Sequence, residues 1–443
     1  MKKSTIHSVI IIAIFQFLLM SRFSVAQSPA EKLSAHSREF KKEVIEVTNG
    51  VYVAIGFALG NSIMIEGDDG VIIVDVTGSP AAAEEVKAAF AKITNKPIKA
   101  IIYTHSHPDH TGGAKAFTKV GKPEIYAHEL VNRSVRNDIQ PILNLRAVRQ
   151  FGLSLPSEKF LNAGIGPWMK LDWSGFLPPT KTIADRLEVE IAGIQVVLQY
   201  APGETEDQLY VWLPDKKLLL PGDNYYKAFP NLYTIRGSNY RDIQLWAQSL
   251  DKMLKEGEIE YLVPSHTRPV IGVTQVKNTL TNYRDAIRFV YKESVKGINA
   301  GMDPIALSQQ VRLPEHLEND PALQEFYGTV PWSVRSVYSG LLGWFDGNAT
   351  NLYPLSSKER AERVVKLAGG VNRIRENVKM ALNEGDPQWA AELTDHLLAL
   401  DENDKEAMIL KAKALTILGE NQTSSNGRNC YLTQAQELFE KSK

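Results

Sequence analysis

Cysteine is nearly missing from this chain: its 443 residues carry one, Cys430. No intramolecular disulfide framework can form, so the fold must be held by its core. Cys430 reads as a small half-buried hydrophobe rather than a nucleophile. An excess charge of one sign is missing too, since 50 Lys and Arg face 51 Asp and Glu. No global basic field gathers nucleic acid, and no long Lys or Arg run marks a polyanion site. Long apolar runs are scarce. The clearest, Val9–Met20, is too short to be a confident membrane span. Lys2 and Lys3 precede it, and Ser24-Val25-Ala26 follows before Gln27. Positive, apolar and small-residue segments in that order form an export signal. We expect residues 1–26 to be a signal peptide cleaved near Ala26. The mature protein is then periplasmic or secreted, without stable membrane insertion. The competing reading is an uncleaved N-terminal anchor. Cys430 lies far from this segment, which excludes lipid attachment at the cleavage site.

What is present is globular. Hydrophobic residues make up 44% and charged residues 23%, ordinary for a folded protein. The length predicts two or three domains of roughly 150 residues each. Residues about 45–275 read as strands alternating with helices. Val51–Ala54, Ser62–Glu66 and Val71–Asp75 are β-rich runs, and Pro80–Ile93 has apolar residues at helical spacing. Ile98–Tyr103, Leu187–Tyr200, Leu209–Leu213, Leu218–Leu220 and Tyr261–Pro264 resume β character. This mixture predicts an α/β sandwich. Beyond residue 276 the chain turns helical, over Val276–Val295, Ser357–Lys366 and most of the chain after Val371. Helix–short loop–helix pairs there resemble tetratricopeptide units without a clean third repeat. We read 27–275 as the catalytic domain and 276–443 as a helical packing or dimerisation domain.

The chemistry concentrates in Thr104-His105-Ser106-His107-Pro108-Asp109-His110. Three histidines and a carboxylate follow directly on an apolar strand. Imidazole with carboxylate suits zinc and related divalent ions. His105 and His107 are two apart, so in extended chain they leave on one side. Asp109 and His110 reach a second position, which suggests two metals. Three more ligand types stand at strand ends: Glu204 in Pro202-Gly203-Glu204-Thr205, Asp223 in Leu220-Pro221-Gly222-Asp223, and His266 in Val263-Pro264-Ser265-His266. Strand-end loops of an α/β sheet can converge on one edge. Taken singly, each is more often a turn or surface residue; their order after the histidine motif is what raises them.

That order resembles the metallo-β-lactamase fold, an αββα sandwich. Glu204, where that superfamily usually places a histidine, resembles its alkylsulfatase branch. So do Asn231-Leu232-Tyr233-Thr234-Ile235-Arg236-Gly237, Tyr327-Gly328-Thr329, Leu342–Asn348, Leu367–Gly370 and Arg428–Leu432. The resemblance covers roughly residues 45–440. It implies that His105, His107 and Glu204 hold one zinc ion, that Asp109, His110 and His266 hold a second, and that Asp223 bridges them. Other divalent metals suit the same ligands. It further implies hydrolysis of alkyl sulfate esters to alcohol and sulfate by a metal-held hydroxide, with Asp109 and Asp223 in the catalytic set. Asn231 and Arg236 would bind the sulfate, with Arg241 as a second candidate, and the helical domain would form a homodimer. Asp75 would orient a ligand histidine, and His128 would sit in the core or behind a ligand. Tyr225, Tyr226, Phe229, Trp332, Trp344 and Phe345 read equally as an alkyl-chain groove or as plain core. Asp223 departs from the Glu of the best-known members. The chain also stops at Lys443 without the sterol-carrier-like third domain that many carry, which puts long-chain preference in question. Within enzymes, the alternatives are lactone, β-lactam or phosphodiester hydrolysis. Outside them, the alternative is a metal-stabilised scaffold that works through its helical tail.

Overall fold

The computed structural model describes residues 27–132, 139–168, 170 and 172–443; the export-signal reading falls outside them. Two sheets form. The first runs β1 (Glu43–Thr48), β2 (Val51–Ile55), β3 (Ser62–Glu66), β4 (Val71–Val74), β5 (Ile98–Ile102), β6 (Glu124–His128) and β7 (Lys181–Ile183), neighbours in that order. Its first four strands are antiparallel, and β4 to β7 are parallel. The second contains β8 (Arg186–Ile191), β9 (Ile194–Tyr200), β10 (Leu209–Leu213), β11 (Leu218–Leu220), β12 (Tyr261–Leu262) and β13 (Val270–Ile271), again in chain order. Here β11 and β12 are parallel and the other pairs antiparallel.

Strand alternation decides the layers. Side chains on successive residues leave opposite faces, so Ile72 and Val74 of β4 and Ala100 and Ile102 of β5 point inward. They meet Leu198, Leu209, Val211 and Leu220 of the other sheet in a buried core. The opposite face of β4 and β5, Ile73 and Ile101, packs on Ala83, Val86 and Phe90 of the helix Pro80–Phe90. Likewise Tyr210, Trp212 and Leu219 turn outward, against Trp246 and Leu250 of the helix Ile243–Met253 and Leu280 and Tyr283 of the helix Val273–Asn299. The result is an αββα sandwich. Strands buried on both faces read as continuous apolar runs, which is why Val71–Val74 and Leu218–Leu220 stand out in sequence.

The run Leu187–Tyr200 is two strands, not one. Ala192 and Gly193 both take positive φ, 54° and 80°, as a two-residue hairpin turn requires. The helix read over Val276–Val295 extends over Val273–Asn299. After it come helices Pro304–Gln310, Val330–Leu342, Ser357–Leu367, Val371–Glu384, Pro387–Leu400, Lys405–Glu420 and Ser425–Lys441. The last five enclose their own core of Ile374, Val378, Ala390, Leu397, Leu410 and Ala435.

Candidate metal centre and substrate cavity

Strand direction brings the ligand residues together. Because β4 and β5 are parallel, their C-terminal ends share one edge of the first sheet. In the second sheet β9, β11 and β12 run the same way, since β10 is antiparallel to both β9 and β11. Asp75 and His105–His110 leave the first edge; Glu204, Asp223 and His266 leave the second. Tight backbone completes the approach. Gly222 takes φ +58°, and a side chain on it would meet Thr104 Cβ at 2.9 Å. A side chain on Gly203 would strike the Asn224 amide oxygen at 1.9 Å. Neither position tolerates a Cβ, so each glycine lets its following carboxylate reach the centre.

Two groups of metal-type ligands result: His105, His107 and Asp223, and Asp109, His110 and His266, with ligand atoms in each group within 4.8 Å of one another. His105 Nε2 is 2.9 Å from His107 Nδ1 and 3.7 Å from Asp223 Oδ2. Asp223 Oδ2 also lies 3.5 Å from His110 Nε2 and 3.3 Å from His266 Nε2. This carboxylate therefore stands between the two groups. Asp109 Oδ2 is 3.4 Å from both His110 Nε2 and His266 Nε2.

The outward ring nitrogens are fixed. His110 Nδ1 donates to Asp75 Oδ2 at 2.8 Å, and His266 Nδ1 to the Leu59 carbonyl at 2.9 Å. Their Nε2 atoms face the centre, buried and without a hydrogen-bond partner, as is Asp223 Oδ1. Electrostatics agree. Burial lowers the pKa of His266, but the carboxylates of Asp223 and Asp109 outweigh it and push it up to about 10. The same balance holds His110 well above its ordinary value. Burial raises Asp109 and Asp223, yet the facing histidines hold both well below the usual carboxylate range. Such clustering of perturbed groups marks a functional site. Orphaned imidazole nitrogens and a carboxylate oxygen, buried and facing one another, form a donor set that fits a divalent cation.

Glu204 reaches the site but belongs to neither three-ligand group. Its Oε1 accepts from Arg241 Nη1 at 2.9 Å in a buried pair, while Oε2 has no partner. Burial raises its pKa to about 7, against the pull of Arg241. Arg241 also donates to the Asn231 carbonyl, so the structure places it as a support for Glu204 and for the Asn231 backbone. Both amide atoms of Asn231 are buried without partners. Arg236 stands beside the centre, with Nη2 donating to His107 Nε2 at 3.2 Å. His128 is buried away from it, stacked on Tyr200 and bonded to the Ala184 carbonyl.

A cavity of about 630 Å³ opens onto this centre, lined by His107, Asp109, Glu204, Asp223 and Arg236 at one end. Its apolar wall is Leu143, Ala147, Phe151, Ile165, Leu245 and Tyr327. None of the six aromatics offered as groove residues lines it: Tyr225, Tyr226 and Phe229 are core, and Trp344 is exposed. The helix that supplies much of the wall, Gln140–Phe151, is absent from the sequence reading. Its signal is the apolar spacing of Leu143, Ala147 and Phe151, four residues apart.

Comparison with known proteins defines first the class. The description "Metallo-beta-lactamase superfamily" matches residues 55–266, and "Alkyl sulfatase dimerisation" matches 304–441. A linear primary-alkylsulfatase of a Pseudomonas species is 40% identical over 85% of this chain and 73% of that protein. An alkyl/aryl-sulfatase of Saccharomyces cerevisiae is 30% identical over 89% of this chain and 64% of its own length. The solved structure of a stereoselective inverting sec-alkylsulfatase from a Pseudomonas species, 27% identical, superposes with a TM-score of 0.86 over 93% of this chain and 67% of that one. The chain belongs to the alkylsulfatase family of metallo-β-lactamase-fold hydrolases.

Proposed function

We propose that this protein hydrolyses alkyl sulfate esters to alcohol and inorganic sulfate. The observation that carries the reading is one cavity lined by imidazole and carboxylate ligand residues, an arginine beside them and apolar side chains. His105, His107 and Asp223 would hold one zinc ion, and Asp109, His110 and His266 a second, with Asp223 shared and Glu204 in reserve beside Arg241. Manganese or iron would suit the same donors. Bound divalent ions supply an activated water near neutral pH and stabilise charge on the departing sulfate.

The chain's own residues do the rest. Arg236 presents a planar guanidinium that matches sulfate oxygens in a way a lysine cannot, and Asn231 offers its unspent amide beside it. Asp75 holds the His110 ring so that Nε2 faces inward. Leu143, Ala147 and Phe151 exclude water from the alkyl chain and orient the ester oxygen toward the floor. We further propose a homodimer formed through the helical region, and export with cleavage near Ala26. N-terminal sequencing of the protein recovered from producing cells, beginning at Gln27, would support export.

The deciding experiment measures sulfate release from primary and secondary alkyl sulfates of varied chain length. Turnover that disappears on chelation and returns with zinc is expected. Metal-loaded protein inert to every ester, yet active on a lactone or phosphodiester, would overturn the substrate assignment.

A further inference from the structure

The helix Gln140–Phe151 does more than line the cavity, because it clasps the loop that carries Arg236. Gln150 lies in its last turn with no exposed surface. Its Oε1 accepts two hydrogen bonds, from the Arg236 backbone N–H at 2.7 Å and from Thr234 Oγ1 at 2.9 Å. One turn earlier, Arg146 Nη2 donates to the Ile235 carbonyl at 2.8 Å. Three successive residues, 234 to 236, are thus each tied to one helix face. The loop closes on itself through Gly237 N–H donating to the Thr234 carbonyl at 2.9 Å. The helix is anchored in turn, since Arg149 grips both carboxylate oxygens of Glu437 on the helix Ser425–Lys441.

Gln150 Nε2 is buried without a hydrogen-bond partner. A buried unsatisfied amide costs stability, so a glutamine here is explained by what its oxygen does. That oxygen fixes the backbone from which the Arg236 side chain departs. A long side chain binds an anion well when its root is held, because less freedom is lost on binding. A neutral acceptor serves where a carboxylate would compete with sulfate for the guanidinium.

We propose that Gln150 is a positioning residue for anion recognition: it fixes the Arg236 loop against the cavity helix, with Arg146 as its second clasp. The inference rests on the reading that Arg236 meets the sulfate group.

The test is calorimetric binding of inorganic sulfate to the metal-loaded protein, with KM and kcat for one alkyl sulfate measured alongside. Gln150→Met removes the acceptor at similar volume. Its sulfate Kd is expected to rise about tenfold, with KM rising more than kcat falls. In an Arg236→Ala background the same substitution should change Kd by less than about twofold, because the two residues act as one unit. Equal fold-changes in both backgrounds, or an unchanged Kd with a lower melting temperature, would overturn the proposal. Should Gln150→Met not fold, Arg146→Met decides, with a smaller rise and the same non-additivity expected; an additive or absent effect there counts against the proposal. Arg236→Ala read by itself separates the two claims. If it leaves sulfate affinity intact, the Arg236 reading fails. If it weakens binding while Gln150→Met does not, the positioning role alone fails.

Discussion

At the residue scale, one carboxylate organises both sheets' contributions to the centre. Asp75 follows β4 with φ +54°, a conformation that costs a non-glycine residue energy and persists where the surroundings enforce it. Here they do. Asp75 Oδ1 accepts from Thr104 N–H at 2.9 Å, while Oδ2 accepts from Thr104 Oγ1, Ser265 Oγ and His110 Nδ1 at 2.9, 2.7 and 2.8 Å. The strand-end loops after β4, β5 and β12 are thereby locked together. Asp75→Asn keeps the size but turns an amide donor toward donors. We expect metal affinity to fall by about 10- to 100-fold, read by chelator competition on the purified protein, together with a lower melting temperature. Full metal retention would assign Asp75 to the fold rather than to the centre. Asp75 is legible in the sequence as a carboxylate closing an apolar strand. Gln150 is not, because a glutamine within an amphipathic helix has no local mark that separates a solvent-facing residue from a buried clasp.

At the element scale, legibility follows burial. Ser62–Glu66, Leu209–Leu213 and Leu218–Leu220 are readable to the residue because both their faces are covered and turn residues bound them. Edge strands such as Lys181–Ile183, half-exposed and short, carry no such run. The helix Gln140–Phe151 escapes the reading for another reason: its apolar residues are split between two faces. Leu143, Ala147 and Phe151 line the cavity, while Ile142 and Leu145 are exposed, which blurs a single stripe. Six of the seven candidate ligand residues fall into the two metal-type groups, and strand-end placement is what made them readable. Glu204 stands at the site outside both groups, and the cavity wall depends on a helix that only the tertiary fold positions. This helix lines the cavity through Leu143, Ala147 and Phe151. Ala147→Trp should fill space along the alkyl path without touching a ligand. We expect the kcat/KM ratio of a twelve-carbon to a six-carbon alkyl sulfate, lengths of about those sizes, to drop about tenfold. A ratio that does not move would place the alkyl chain along another wall.

At the scale of the whole molecule, the helical region has closed its own core yet leaves several large apolar side chains exposed. Trp344 is 76% exposed, Tyr353 95% and Leu367 88%, with Leu341, Leu342, Leu352 and Leu355 also exposed. These residues fall within one stretch of the chain, inside the segment matched by the dimerisation description. Large apolar side chains left exposed in one stretch of chain are what a protein interface would cover. Burying such residues against a second copy would remove them from water at about 25 cal/mol per Å² of apolar area, and a stable interface needs roughly 800 Å² per partner. Placing charges on its most exposed apolar residues would reverse the balance, since an unpaired buried carboxylate is costly. Trp344→Asp combined with Tyr353→Asp should therefore halve the mass seen by light scattering, while the sandwich core, which neither residue enters, keeps its circular dichroism. A dimer that survives both substitutions would put the interface on another face of the helices, and a monomeric wild type would remove the second copy as the cover for this surface.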